Sequence, residues 1–211
     1  MLINLKKSED ELWDQIGNVR TDIRKAEKNE VEIITNPSDS DRDEAYELYL
    51  AMMKKKYLPV EKSYSLAPSK DHELIVAKYQ GKVISYIRFQ LHSKIDQLGK
   101  SKICAFETIA SDDAFKHLSV NSLLYWQWIR YMKSLGYEFL NFNGVSYQYG
   151  WGDLNSLAFF KRKWNGIEIE CISKRSFLGY IYWRWFRKYQ CIRSIVYLVL
   201  TNFFTKRFKK Y

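Results

Sequence analysis

The residues best suited to chemistry are concentrated between Glu138 and Glu170. A short apolar run at 139–142 ends at Asn143-Gly144, a pair that allows a sharp backbone turn. The loop that follows carries three aromatic side chains, Tyr147, Tyr149 and Trp151. Polar and aromatic loops between packed elements are where sites are usually built. The pattern alone leaves an alternative open, an ordinary strand–helix–strand unit with aromatic residues on its surface.

Metal chemistry finds no support in the sequence. The cysteines and histidines are few and scattered: Cys104, Cys171, Cys191, His72, His92 and His117. They form no CxxC pair and no HExxH motif, so we predict no metal site. Widely spaced cysteines without a pairing pattern favour a reducing compartment. The first residues contain no apolar core of a signal peptide, so we expect an intracellular protein.

Hydrophobic periodicity predicts the elements that must position this region. The predicted helices are 8–29 with a break at Gly17-Asn18, 39–56, 120–135 and 154–164. The predicted strands are 73–79, 82–91, 103–109, 139–142 and 167–172. Gln80-Gly81 is suited to a hairpin turn, so the strands that follow residue 72 should form an antiparallel meander.

Two segments between Glu138 and Glu170 resemble motifs of FemAB-like acyltransferases. This group of the GNAT superfamily includes the enzymes that add amino acids to peptidoglycan precursors. Phe160-Lys161 followed by 163–166, Lys-Trp-Asn-Gly, resembles the "FKxxFG" signature near the end of those proteins. Residues 140–144, Leu-Asn-Phe-Asn-Gly, stand where they often carry "DFGG". Three residues depart from the pattern, Asn141, Asn143 and Trp164. The resemblance therefore implies geometry more strongly than it implies acid–base roles.

A third segment, residues 20–34, resembles the "RxxIRKAEKxGVxV" segment of the same group. There the basic helix helps to hold an anionic acceptor, which implies acceptor binding by Arg20, Arg24 and Lys28. A solvated charged helix face is the alternative for this segment taken by itself. The order and separation of the segments favour the binding role.

The resemblance covers residues 20–172 and implies the fold and the activity. The fold is α/β (α+β), a single GNAT-like domain at 1–173 with a mixed, mostly antiparallel sheet flanked by helices. The activity is transfer of an activated acyl or aminoacyl group onto an amine. Because no Ser-His-Asp or Cys-His set is visible, we expect direct attack by the amine rather than an acyl-enzyme.

Residue roles are carried over from the same resemblance. Phe160 and Lys161 would lie on the donor side, where the lysine counters phosphate or oxyanion charge. Tyr147, Tyr149 and Trp151 would wall the cleft. Asn121 opens a predicted helix with the Leu-Leu-x-Trp pattern of the group, and we assign it to substrate binding. No general base stands out, and Glu107 and Asp153 are the candidates.

The donor stays open between acyl-CoA and aminoacyl-tRNA, with no tightly bound cofactor. Acetyl-CoA-dependent members of the superfamily wrap the pyrophosphate in a Q/R-x-x-G-x-G/A loop. The equivalent residues 111–122 contain no glycine, which favours aminoacyl-tRNA. A domain with balanced charge disfavours a tRNA partner, which normally meets a basic face.

The net charge of +10 lies in the C-terminal residues 174–211. That tail holds ten of the 34 basic residues and no acid, which leaves 24 basic against 24 acidic residues elsewhere. Aromatic and basic residues mixed in this way are typical of amphipathic helices on a membrane surface. Packing on the domain's own flank or at a dimer interface is the alternative, and the oligomeric state stays open.

These features together predict a cytoplasmic protein that is peripheral to the inner face of the membrane. The expected acceptor is a cell-envelope precursor, such as a lipid-linked peptide or amino sugar. The departures at Asn141 and Asn143 keep a second class in view, a non-enzymatic, membrane-associated binding protein built on a degenerate GNAT domain.

Overall fold

The computed structural model describes residues 1–56, 58, 60, 64–95, 98–145 and 153–169, with only the backbone for 153–156. The predicted wall residues Tyr147, Tyr149 and Trp151 and the whole tail 174–211 lie outside these residues. The chain divides into two compact units, one formed by 1–48 and 66–169 and the other by 49–65 and 170–211. The first unit contains the sheet and the candidate site.

Six strands form one sheet in the order β1-β6-β5-β4-β3-β2. They are β1 (Leu2–Asn4), β2 (Glu32–Ile34), β3 (His72–Tyr79), β4 (Lys82–Ser93), β5 (Ile103–Ser111) and β6 (Phe139–Asn141). Every pair is antiparallel except β5–β6. The predicted mixed, mostly antiparallel sheet is confirmed. β1 was not predicted, because three residues are too few to show an alternating pattern.

The helices also follow the sequence closely. They are α1 (Glu9–Gln15), α2 (Val19–Lys28), α3 (Asp39–Lys55), α4 (Val120–Ser134) and α5 (Asp153–Arg162), with a short 3₁₀ helix at Asp113–Leu118. The expected break falls at Gly17, whose φ of 41° ends α1 and starts a new helix axis. Ser8 and Glu11 form a reciprocal capping box at the start of α1.

One face of the sheet packs on α4 through aromatic side chains. Phe89 of β4 stacks on Trp128 with ring centroids 5.6 Å apart, and Phe106 of β5 stacks on Tyr125 at 5.8 Å. Phe142 contacts both of these α4 residues, and all except the edge of Phe106 are buried. Aromatic pairs of this kind each add about 0.5–1.5 kcal/mol beyond their buried area. This cluster holds β5, β6 and α4 in fixed relation.

The helix α3 is tied to the sheet by charge. Lys78 of β3 lies 2.7 Å from Asp41, and the Glu44 carboxylate accepts a hydrogen bond from the Val83 amide at 2.9 Å. In the second unit, Tyr49 of α3 stacks on Tyr64 with centroids 4.0 Å apart. No helix among the described residues is long and apolar enough to cross a membrane.

The predicted strand 167–172 is wrong in its described part, residues 167–169. Ile167 forms a single antiparallel bridge with Leu2, through two hydrogen bonds of 2.7 Å. The edge available for pairing is β1, which is three residues long, so the contact ends after one residue pair.

Candidate active site

The strands β5 and β6 separate in the middle of the sheet. Their parallel pairing runs from Ile103–Phe139 to Ala105–Asn141 and ends there, while β5 continues to Ser111. A bulge follows at once: Arg88 pairs with Thr108 and Phe89 with Phe106, so Glu107 is an extra residue in β5. Bulges of this type re-aim side chains next to functional sites. We call the gap beside Phe106 the β5–β6 opening.

Lys161 lies at this opening. Its amine donates to the Gly144 carbonyl at 3.1 Å and lies 5.5 Å from the centre of the Phe106 ring. The residue is 3% exposed and has no carboxylate partner among the described residues. Burial lowers the pKa of Lys161 from 10.5 to about 8. A buried amine that changes charge near neutral pH is typical of functional sites rather than of structural ion pairs.

Phe160 precedes Lys161 and faces a cleft between α2 and α4. The α2–α4 cleft has a volume of about 200 Å³ and is also lined by Asp22, the 3₁₀ helix and the first turn of α4. The Phe160 ring meets Tyr125 edge to face, with centroids 5.2 Å apart. The sequence pair Phe-Lys therefore places an aromatic ring in the cleft and an amine at the opening beside it.

The turn after β6 depends on two of the three residues that depart from the FemAB-like pattern, Asn141 and Asn143. Asn143 has a φ of 60°, a conformation that glycine and asparagine tolerate. The Asn141 side-chain oxygen accepts a hydrogen bond from the Asn143 amide at 2.8 Å, as an aspartate would. The Asn143 side chain donates to the Phe106 carbonyl. Both substitutions preserve the turn, which weakens the argument for a degenerate domain.

The residues after Lys161 fix the end of α5 on the rest of the unit. Trp164 is fully buried against Tyr125 and Phe142. Asn165 has a φ of 47° and donates to the Gln15 carbonyl at 2.6 Å. A Cβ atom on Gly166 would lie 2.6 Å from the Leu2 carbonyl oxygen, so only glycine allows this approach. These contacts explain the spacing from lysine to glycine in the signature.

Asn121 lies in the α2–α4 cleft in a fixed orientation. Its oxygen accepts hydrogen bonds from Ser111 at 2.7 Å and from Ser85 at 3.0 Å. Ser85 is buried, and its single hydroxyl proton is shared between the Asn121 oxygen and the Ala110 carbonyl, each 3.0 Å away. The oxygen is occupied, and the amide nitrogen has no partner among the described residues, so the nitrogen is the group that would meet a substrate. The predicted substrate-binding role stays a prediction, and the structure shows how the side chain would be presented.

The charge of the cleft does not fit a diphosphate. Asp112 is paired with Lys82 at 3.1 Å, and Lys116 with Asp113 at 2.8 Å. The Asp22 carboxylate lines the cleft and has no ion-pair or hydrogen-bond partner among the described residues. A diphosphate placed there would meet this negative charge.

The predicted acceptor residues on α2 lie outside the lining of this cleft. Arg20 is paired with Asp14 at 3.1 Å, and Arg24 lies over the ring of Trp13 at 5.6 Å. Lys28 is exposed at the end of α2. The structure places Phe160 and Asn121 in the lining of the α2–α4 cleft and Lys161, next to Phe160, at the β5–β6 opening. The three basic residues do not line that cleft. Their role in acceptor binding stays a prediction.

The remaining candidates are also placed. Burial raises the pKa of the Cys104 thiol to about 12, so it is not a nucleophile at neutral pH. The His117 ring donates to the Ala114 carbonyl at 3.1 Å and is exposed, as expected for a capping histidine. Asp153 begins α5, but its side chain is not described. Among the described residues, no group of acids, cysteines and histidines could hold a metal ion.

Sequence reasoning missed two features of the site. Asp22 stands inside the basic segment of α2, where the sequence pattern by itself indicates only a charged helix face. Asp22 is three residues after Val19 and four before Ala26, so it lies beside the buried face of α2. This spacing is the sequence signal that could have identified it. Ser85 and Ser111 gave no signal, because their contact depends on the pairing of β4 with β5.

Comparisons with known proteins bear on the fold. No protein-family model and no curated protein sequence matches this chain. Solved structures similar to it include FemX, with a TM-score of 0.65 and 14% identity over 79% of this chain. A C-terminal domain of a putative lysylphosphatidylglycerol synthetase from Agrobacterium fabrum has a TM-score of 0.53 and 12% identity over 79% of the chain.

A third similar structure is the aminoglycoside acetyltransferase meta-AAC0020 from an uncultured soil metagenomic sample. Its TM-score is 0.52 at 13% identity, over 69% of this chain and 93% of that one. The chain spans 58% of the FemX chain and 56% of the synthetase domain. At these identities the likeness establishes the fold. The described part of the chain has a GNAT-like fold, as the resemblance in the sequence implied.

Proposed function

We propose that this protein is an acyltransferase that moves an activated acyl or aminoacyl group onto an amine. The observation that carries the proposal is the buried Lys161 amine at the β5–β6 opening, next to a cleft walled by Phe160. A protein does not bury a lysine without a counter-ion for stability alone, because burial disfavours its charge. The similar structures include proteins named as acetyltransferases, which supports the same chemistry.

In this proposal Lys161 stabilises the negative charge that develops on the carbonyl oxygen during attack. A positive charge in a dry site is worth more there than in water. Phe160 would hold the acyl group against the opening and exclude water. The acceptor nitrogen forms the new bond to the carbonyl carbon, and the donor's leaving group departs with its electron pair. Among the described residues, the Cys104 thiol is buried with a raised pKa and offers no nucleophile for an acyl-enzyme.

The donor in this proposal is either acyl-CoA or aminoacyl-tRNA. The free Asp22 carboxylate and the glycine-free segment favour a donor that brings no diphosphate into the α2–α4 cleft. Aminoacyl-tRNA meets that condition. Asn121 would hold a polar group of the donor through its amide nitrogen.

The acceptor in this proposal is an amine of a cell-envelope precursor. Two similar structures are named for FemX and for a lysylphosphatidylglycerol synthetase domain, and the second name includes a lipid. The ten basic residues of the tail would keep the protein at an anionic membrane surface, at roughly 1 kcal/mol per residue. Arg20, Arg24 and Lys28 would then attract an anionic acceptor.

Donor binding tests the proposal. The full-length protein is heated with acetyl-CoA, with a longer acyl-CoA or with alanyl-tRNA, and its unfolding temperature is recorded. A true donor at about 100 times its dissociation constant should add roughly 2.7 kcal/mol of stability. We expect alanyl-tRNA to give the larger shift, and we expect Lys161→Ala to weaken it.

Two controls make the result specific. Lys163→Ala removes a partly buried lysine just after the end of α5. Its amine lies over Phe159 rather than at the opening, so the variant should leave the shift unchanged. Uncharged tRNA separates recognition of the acyl group from binding to RNA. No shift with any donor would oppose the enzymatic proposal and favour a non-enzymatic binding protein.

A further inference from the structure

The α2–α4 cleft contains one negative charge that the rest of the described chain does not neutralise. Asp22 of α2 is partly buried and lines the cleft, and no cation or hydrogen-bond donor among the described residues meets its carboxylate. Lys116, which also lines the cleft, pairs with Asp113 at 2.8 Å, and the cleft residue Asp112 pairs with Lys82 at 3.1 Å. A partly buried carboxylate without a cation loses hydration and gains no contact in return, so folding alone does not explain its position.

A second polar group of the cleft is also unused. Ser122, in the first turn of α4, is 4% exposed and lines the cleft. Its hydroxyl forms no hydrogen bond with any described residue. The oxygen keeps some contact with solvent, so it faces the cleft rather than the packed interior. Because buried polar groups are normally hydrogen-bonded, this hydroxyl indicates a partner that enters the cleft.

Asn121 supplies the complementary group. Its oxygen is occupied by Ser111 and Ser85, while its amide nitrogen has no partner in the described part of the chain. The cleft therefore offers a charged acceptor at Asp22, a neutral acceptor at Ser122 and a donor at Asn121. A primary ammonium group donates three N–H bonds and accepts none, so it fits the two acceptors. A carbonyl oxygen fits the donor.

An aminoacyl group carries both of these groups, an ammonium and a carbonyl oxygen on adjacent carbons. Its α-amino group is mainly protonated at pH 7. The cleft volume of about 200 Å³ accommodates a small aminoacyl group, and the Phe160 ring in its wall is a favourable neighbour for a cation. Phe160 is followed by Lys161 at the β5–β6 opening, so the cleft and the opening are adjacent. An acetyl group has no ammonium and would leave the Asp22 carboxylate without a partner.

We propose that Asp22 binds the α-ammonium group of an aminoacyl donor in the α2–α4 cleft and thereby selects aminoacyl over simple acyl groups. This inference rests on the proposed function and names its donor class. The Ser122 hydroxyl accepts a second hydrogen bond from the ammonium group, and the Asn121 amide donates to the donor's carbonyl oxygen. No bond to the ammonium nitrogen forms or breaks during transfer. Held in the protonated form, this nitrogen has no lone pair and does not compete with the acceptor amine.

The test is a binding cycle that combines a variant with a change in the donor. Wild-type protein and Asp22→Asn are titrated by calorimetry with tRNA that carries alanine through a stable amide link. The same tRNA carrying lactate, in which a hydroxyl replaces the ammonium, is the second ligand. For wild type we expect the lactyl form to bind about 10–100-fold more weakly, the range for a hydrogen bond to a charged group. Asp22→Asn should bind the alanyl form more weakly by the same factor and should not distinguish the two ligands.

Two further variants make the result specific. Glu27→Gln removes a carboxylate from an exposed position of α2 outside the cleft lining and should keep the wild-type preference for the alanyl form. Ser122→Ala removes the unused hydroxyl and should weaken binding of the alanyl form by about 2–10-fold, as for a neutral hydrogen bond. Thermal unfolding of each variant separates a loss of binding from a loss of folding.

The outcomes separate this inference from the proposed function. Equal affinity of wild-type protein for the alanyl and lactyl forms would overturn the role of Asp22 and leave acyl transfer standing. A preference that persists in Asp22→Asn would do the same. Product from acetyl-CoA without binding of either tRNA would overturn the aminoacyl donor and keep an acyltransferase. No product from any donor would overturn the proposed function and this inference together.

Discussion

At the residue scale, Lys161 is the side chain whose surroundings are hardest to explain by folding alone. Among the described residues, its amine has one carbonyl acceptor and one aromatic ring beside it, and the side chain is 3% exposed. That environment disfavours the charged form of Lys161, so the amine lowers the stability of the folded protein. A functional role would explain why the lysine is kept. The cost can be measured directly.

Lys161→Met should stabilise the protein at pH 7 while it abolishes activity. In the folded state the pKa is lowered from 10.5 to about 8, so the unfolded chain binds the proton more tightly. The resulting loss in the free energy of unfolding is complete below pH 8 and disappears as the pH rises past 10.5. Its upper limit is about 3 kcal/mol. Urea unfolding of both proteins at pH 7 and pH 10 measures it. A methionine variant that is less stable than wild type by the same amount at both values contradicts this account.

Asp22→Asn should raise the affinity for acetyl-CoA. The substitution removes a free carboxylate from the α2–α4 cleft and keeps the shape of the side chain, so the repulsion of a diphosphate disappears. We expect the dissociation constant to fall by about tenfold, which corresponds to roughly 1.4 kcal/mol. Calorimetry measures it, and Asp10→Asn, at an exposed position in the first turn of α1, is the control. An unchanged affinity would mean that the diphosphate binds elsewhere.

At the element scale, the junction between α5 and β1 holds the site in place. Gly166→Ala would put a Cβ atom 2.6 Å from the Leu2 carbonyl oxygen, so the Ile167 bridge must move. We expect a loss of about 1–3 kcal/mol, as for other overpacked positions. Denaturant titration measures it. Gly144→Ala is the matched control, because a Cβ atom there meets nothing within 4 Å. Equal losses for both variants would show that the close approach at Gly166 does not matter.

The elements themselves could be predicted well from the sequence. Alternating and helical periods located β3, β4, β5, α2, α3 and α4 to within a few residues. The motifs Phe160-Lys161 and Asn165-Gly166 singled out the lysine of the site and the glycine that lies close to β1. Asp22 and the Ser85–Ser111–Asn121 network could not be predicted, because these contacts join residues far apart in the chain. The strand β1 could not be predicted either, because its three residues form a strand only by pairing with β6.

At the scale of the whole molecule, the charge distribution sets the expected location. Residues 174–211 carry ten basic residues and no acid, while the remaining chain is balanced. This separation of charge was visible in the sequence, and the tail lies outside the described residues, so the membrane role stays a prediction.

Vesicle binding by the full-length chain should depend on the basic end of the tail. Replacing Lys206, Arg207, Lys209 and Lys210 by glutamine removes four positive charges, each worth roughly 1 kcal/mol near an anionic surface. We expect wild-type protein to cosediment with phosphatidylserine vesicles, and the variant to stay largely in solution. Pure phosphatidylcholine vesicles are the control. Equal cosedimentation of both proteins would favour the alternatives, packing on the domain or a dimer interface.

The central claim is that Lys161, at the β5–β6 opening, serves acyl transfer to an amine. The most direct measurement is product formation by mass spectrometry, with alanyl-tRNA or acyl-CoA as donor and peptides and amino sugars as acceptors. The account predicts an acylated amine with wild-type protein, and its loss in Lys161→Ala that remains folded. Equal product from both proteins, or none with any donor, would contradict it.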